Sequence, residues 1–157
     1  MAICILKSNK QLGVNFILTP ERYNPRRRMS IDNEDTILMS EIVEIVNDII
    51  TKKQAQGKSI IQINTSDAMG GYLNINSEVN DSINSNKKIL RKGDVIISRL
   101  RPYLRQVAYV DEDRKEILGA STEFFVIRAR NNESIAYLVP FLLSQPAQLV
   151  FENSVEG

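Results

Sequence analysis

Short apolar runs separated by polar turns set the rhythm of this chain and predict a sheet-rich domain. Residues 59–64 (Ser-Ile-Ile-Gln-Ile-Asn) read as a strand, and Tyr72-Leu73-Asn74-Ile75 alternates and returns as another. Val95-Ile96-Ile97-Ser98 is β-branched and bounded by a Gly93-Asp94 turn and by Arg99, which marks a buried strand. Gln106 to Val110 resumes that character, and Asp111-Glu112-Asp113 turns the chain again. Ile117-Leu118 and Phe124 to Ile127 complete the sheet, with Phe124 and Phe125 on opposite faces. At the start, Met1–Leu6 and Val14–Leu18 flank a polar stretch closed by Leu12-Gly13, as in a hairpin.

Helical signals are fewer. Ser40 has the chemistry of an N-cap, with Glu41 and Glu44 near the positive end of the dipole. Ile42, Val43, Ile45 and Val46 would form the core-facing side of that short helix, and Asn47-Asp48 would stop it. Ile49 to Lys53 then reads as a strand, Gln54 to Lys58 as a polar loop, and Ser77 to Lys88 as a surface connection with room for one helical turn. Ser134 opens a terminal helical region that Pro140 kinks or divides, with Ser144-Gln145-Pro146 marking a second start. Leu149, Val150 and Phe151 are too apolar to lie free, so they pack on the domain or on a continuation of the chain. The expected fold class is α+β: a twisted, mostly antiparallel β-sheet with flanking short helices.

Composition narrows the function classes. A length of 157 residues suits one domain, and 43% hydrophobic with 25% charged residues is ordinary for a globular chain. No apolar run approaches the roughly 20 residues of a membrane span, and Met1–Leu6 is too short for a signal peptide. A lone cysteine, Cys4, cannot form an intrachain disulfide, which fits a reducing, cytoplasmic setting. With no histidine, the usual zinc sites and the Ser-His and Cys-His hydrolases are excluded. The net charge is only +1, so any polyanion site must come from local clustering.

One cluster stands out. Arg99-Leu100-Arg101-Pro102-Tyr103-Leu104-Arg105 follows the Val95–Ser98 strand, and Pro102 ends the ladder there. Guanidinium groups match phosphate oxygens and the acceptor edge of guanine, and tyrosine adds a ring and a hydroxyl. Arg101 and Tyr103 at the loop tip are the base-side candidates; Arg99 and Arg105, nearer the strands, suit phosphates. The competing reading is a solvated loop whose arginines pair with Asp111 and Glu112. A second candidate is Thr65 to Gly71, where Ser66 and the following Tyr72 offer small polar and aromatic contacts beside a Gly-Gly pair. Lys52 and Lys53 form a third basic spot, and Arg26-Arg27-Arg28 reads as a connector or a backbone-contacting arm.

The order of these signals resembles the target recognition domain of the type I restriction–modification specificity subunit family. Leu90 to Arg99 matches its "L-x-x-G-D-[ILV]-[ILV]-[ILV]-[ST]-R" strand, and Ser121 to Arg128 is similar to its second signature strand. Tyr137-Leu138 with Leu142-Leu143 resembles its "Y-L-x-x-x-L" helix, Leu38 to Val43 its "L-S-E-[IV]" start, and Glu21 to Pro25 an "x-x-Y-x-P" segment ahead of it. The resemblance implies a module that reads half of a split target in double-stranded DNA. It implies no catalytic residue, metal or cofactor in this chain, and no membrane association. The implied partners are an S-adenosylmethionine-dependent methyltransferase subunit and, for cleavage, a restriction subunit. It also implies that residues 1–157 are one recognition domain lacking a C-terminal spacer helix, with residues 1–30 as an N-terminal hairpin or arm within it. Two alternatives stay open: a protein-interaction domain using the apolar C-terminal region, and a small metal-dependent nuclease. The nuclease would draw on Asp94, Glu116, Glu123 and Asp111–Asp113, but Glu123-Phe124-Phe125 lacks the lysine of a Glu-x-Lys strand.

Overall fold

The computed structural model describes residues 36–75 and 78–152. The expected N-terminal hairpin, the Arg26–Arg28 stretch and the acidic turn at residues 32–35 lie outside them. The fold class is α+β, as the sequence predicts, and the strands divide into two mixed sheets.

The first sheet contains β1 (Val43–Val46), β4 (Ala68–Met69), β5 (Gly71–Leu73), β8 (Val95–Ser98), β9 (Val107–Tyr109) and β11 (Phe124–Ala129), in the spatial order β1-β11-β8-β9-β5-β4. The second contains β2 (Ile49–Ile50), β3 (Ile60–Ile63), β6 (Val79–Asn80), β7 (Lys87–Leu90) and β10 (Ile117–Ala120), in the order β2-β7-β10-β3-β6. Pairing is mostly antiparallel; the exceptions are β5 beside β9 and β3 beside β10. Four short helices accompany the sheets among the described residues: α1 (Met39–Ile42), α2 (Lys52–Ala55), α3 (Leu138–Leu143) and α4 (Gln145–Glu152).

Alternation along the strands divides the apolar residues between layers. Ile96, Ala108, Phe124 and Val126 of the first sheet face Ile61, Ile63, Leu118 and Ala120 of the second, making the central core. Val95, Val107 and Ile127 turn outward to meet Ile135, Leu138 and Leu142, so α3 covers the outer face of the first sheet. On the far side, Ile50, Ile60 and Ile83 gather around Ala55 of α2.

Several local expectations change. The helix foreseen over Ser40 to Val46 is one turn long, and Val43–Val46 is a strand pairing with Ala129 back to Val126. Ser40 lies inside α1 rather than capping it, and its carbonyl accepts a hydrogen bond from Arg130 Nε at 2.9 Å. Val-Glu-Ile-Val satisfies a period of two as readily as a helical period, and pairing with a six-residue strand decides the outcome. Lys52 and Lys53, expected in a strand, instead open α2. Thr51 Oγ1 accepts from the Gln54 amide at 3.4 Å while Gln54 Oε1 accepts from the Thr51 amide at 3.0 Å, a reciprocal cap that starts the helix. The surface connection at residues 77–88 carries no helical turn among its described residues; it supplies β6 and the first half of β7.

The C-terminal expectation is met in kind. Two helices form, but the break falls at Ser144, whose extended backbone separates them and whose Oγ accepts from the Ala147 amide at 3.5 Å. Pro140 stands third in α3, where its missing N–H would have had no helical partner anyway. The helix starts at Leu138, and the Ser134 hydroxyl accepts from the Ala136 amide just before it.

Lys88 ties the sheets together. It is only 6% exposed on β7 of the second sheet, and its Nζ donates to the Phe124 carbonyl of the first at 2.8 Å. Burial, then the charge of Arg99, lower its pKa, against a smaller opposing pull from Glu123. Between that lowered value and the ordinary 10.5 the unfolded chain binds more protons, so this group adds stability as pH rises through the window. Urea unfolding at stepped alkaline pH should show the native chain gaining on Lys88→Met as pH 10.5 is approached. A constant difference would refute this.

Candidate nucleic-acid interface

The arginine loop leaves the first sheet where three chain reversals meet. β8 ends at Ser98 opposite Phe124, the start of β11, and β10 ends at Ala120 opposite Ile63, the end of β3. The 121–123 turn joins those two sheet ends, so the loop, that turn and the segment after β3 share one end of the fold.

Within the loop, the Ser98 amide donates to the Gln106 carbonyl at 2.9 Å and closes its base. Arg99 N–H donates to the Glu123 carbonyl at 2.8 Å, anchoring the first arginine to the neighbouring turn. Pro102–Leu104 then makes a single 3-10 turn, closed by the Leu104 amide on Arg101 O and the Arg105 amide on Pro102 O. The residues on either side of that turn, Arg101 (φ 49°) and Arg105 (φ 50°), both adopt the left-handed conformation. Non-glycine residues there cost of order 1 kcal/mol or more, and such strain collects at functional sites. They are the two non-glycine residues with positive φ among the described residues.

The loop side chains are free to act. Tyr103 is 64% exposed and Leu100 half exposed, and all three arginines are exposed. None of the three forms an ion pair among the described residues. The acid expected to neutralise them, Glu112, instead holds Arg114, whose pKa rises through that hydrogen bond. Arg99 lies over the Phe125 ring, 5.4 Å from its centroid.

At the other end of β8 from the loop is a charge network centred on the buried Asp94, which the sequence did not disclose. Asp94 is 1% exposed; Arg128 Nε reaches its Oδ1 and Arg128 NH2 its Oδ2, each at 2.8 Å. The Arg91 amide adds a third donor at 2.8 Å, closing the turn before β8. Arg128 also donates to Asp48 at 3.0 Å, which Arg91 meets at the same distance from solvent. Hydrogen bonding to Asp94 above all, with Asp48 behind it, pushes the Arg128 pKa up against the opposing effect of burial. The Gly-Asp turn and the Arg128 strand are thus clamped together, which fixes the start of β8, at the end opposite the arginine loop. A lone arginine in the apolar strand Phe-Phe-Val-Ile-Arg-Ala was the available signal for a buried partner.

The other sequence candidates are scattered. Tyr72, 79% exposed, sits on β5 paired with Tyr109 of β9, one strand from the loop. Ser66, exposed, lies in a 3-10 turn (Thr65–Asp67) leading into the outermost strand β4. Of the glycine pair, Gly70 faces open space, whereas a Cβ on Gly71 would stand 2.9 Å from Val139 Cγ1 of α3. Gly71 therefore serves packing, not a ligand. Lys52 and Lys53, both exposed on α2, follow β2 at the edge of the second sheet rather than lying in the first sheet that carries the loop.

Beside the loop lies an apolar groove, of which the sequence signals only the apolar C-terminal wall, Val150 and Phe151. It occupies about 520 Å³ between the outer face of the first sheet, the loop and helices α3–α4. Ile97, Phe125, Phe141 and Val150 are among its walls, and Arg99 and Arg105 border it, while Arg101 and Tyr103 do not. The loop thus has two sides. Among the described residues, no group of three or more acidic or cysteine side chains is placed to hold a metal ion, and no helix is long and apolar enough to cross a membrane.

Fold and site together define an α+β domain that displays a basic loop, free of ion pairs among the described residues, from a clamped strand. Compared with known proteins, the chain matches no family model and no curated protein.

Proposed function

We propose that this chain is a sequence-reading DNA-binding module of a restriction–modification system. It would read a half-site in the groove of double-stranded DNA, while partner methyltransferase and restriction subunits supply the chemistry. The observation that carries the reading is the loop Arg99–Arg105: three arginines that form no ion pair among the described residues, set around a strained turn at the end of a sheet strand. Rigid presentation matters because bidentate guanine contacts demand fixed geometry. One ion pair, Asp94 with Arg128, joins the two strands whose sequences carry the family resemblance. With a nearly neutral chain, affinity for DNA alone is weak, and specificity comes from the loop.

Selection of bound duplexes from a randomised library, at two salt concentrations, tests this. Arg101→Ala should cost about 1–3 kcal/mol on the preferred sequence and relax preference at one position. Arg99→Ala and Arg105→Ala should weaken all sequences alike and flatten the salt slope by roughly 1 each. If the native chain enriches no sequence and the three variants bind as it does, the reading fails.

A further inference from the structure

The groove beside the arginine loop is walled by large apolar side chains that no described element covers. Ile45 is 59% exposed, Leu100 50%, Phe141 48% and Phe125 39%, and all four line it. A volume of about 520 Å³ falls within the range of ligand and peptide pockets. Hydrated phosphates have no place on such a floor, so duplex DNA is not the occupant.

Two polar features specify what would fit. Gln148 of α4 lines the groove at 3% exposure; its Nε2 donates to the Leu142 carbonyl at 2.6 Å, but its buried Oε1 meets no donor. That oxygen has no exposed surface, so an occupant that shifts the Gln148 side chain enough to bring an N–H to it recovers the roughly 1–3 kcal/mol that an unmatched buried acceptor costs. Backbone N–H groups of an extended segment are free to do so, whereas those inside a helix are already spent. The second feature is charge: Arg99 and Arg105 border the apolar floor and form no ion pair among the described residues.

We propose that this groove docks an extended apolar segment of a partner protein, flanked by acidic residues. Apolar side chains fill the space over Phe125 and Phe141, a backbone N–H meets Gln148 Oε1, and the flanking carboxylates meet Arg99 and Arg105. The proposal shares Arg99 and Arg105 with the DNA reading, but Arg101 and Tyr103 lie off the groove, and peptide and DNA binding are measured separately, so failure of one is distinguishable from failure of the other.

The test is selection from a displayed library of random twelve-residue peptides on the full chain, followed by affinity measurement on the synthesised winners. Recovered peptides should combine apolar residues with flanking Asp or Glu. Phe141→Asp should weaken them at least about tenfold, as for a buried interface anchor. Arg105→Glu should do so several-fold, in a salt-dependent manner, and Gln148→Leu should also weaken them. Leu149→Asp, on α4 but outside the groove, should leave them unchanged. Circular dichroism of each variant separates lost binding from lost folding; should Phe141→Asp unfold, Arg105→Glu at the exposed rim decides. Recovery of no peptide, as would follow if residues 1–35 or a second copy covered the groove, overturns the proposal. So do winners with basic flanks, or winners indifferent to the groove substitutions.

Discussion

Replacing Asp94 with alanine is expected to destabilise the domain by about 3–5 kcal/mol, because it leaves the Arg128 guanidinium with its principal partner gone. Asp94 is almost wholly buried and accepts two hydrogen bonds from Arg128 and one from the Arg91 amide. Removing it strands a cation that Asp48, itself 41% exposed, can only partly compensate. For a domain of this size the loss corresponds to a midpoint lowered by roughly 6–20 °C in a thermal melt. Asp94→Asn should cost less, since an amide retains one acceptor for the turn and the arginine. Replacing both partners with apolar residues should recover part of the loss, as a double-mutant cycle with Arg128→Met would show. A cost under about 1 kcal/mol for Asp94→Ala would mean the pair behaves as a solvated surface bridge.

Phe124→Ala should be of comparable size, about 3–5 kcal/mol, by a different cause. The ring is fully buried between the two sheets, among Ile61, Ile63, Leu118 and Val126. Truncation opens a cavity where strands of both sheets already fix the backbone and little collapse is possible. The adjoining residue provides the contrast. Phe125, 39% exposed on the opposite face, should cost much less when truncated, because solvent and the groove already reach it. Chemical denaturation of the two variants side by side checks the pattern, and equal losses would contradict it.

The strands that were legible are those where pattern and punctuation agree. Val95–Ser98 is bounded by a glycine turn and a proline-broken loop, and the structure gives it the same limits. β3 and β11 likewise combine β-branched content with clear ends. β1 was misread because Ser40, Glu41 and Glu44 offer local helix chemistry, whereas its strand partner lies more than eighty residues away. β7 went unseen because Lys87-Lys88 looks like a solvated pair; both are buried, one lysine tying the sheets together. For the site, the loop's arginines and their freedom from the helix and strand ladders could be read directly. Their lack of acid partners could not, since Glu112 might as well have turned toward them as toward Arg114. The groove was legible only in part, through the apolar C-terminal residues Val150 and Phe151. It arises from a sheet face, a loop and two helices that only tertiary packing brings together.

The pairing of β1 with β11 has a consequence for how the protein comes into being. Val43–Val46 cannot be seated until Val126–Ala129 has been made, because those residues are its ladder partners. During synthesis the early strand must wait with open backbone groups for most of the domain to emerge. Closing so large a loop adds an entropic barrier that local contacts cannot lower, which slows folding and lengthens exposure of the sheet edge. A chain cut just before Ser121 would keep ten of the eleven strands described above, yet would lack β11, the strand that β1 and β8 both pair with.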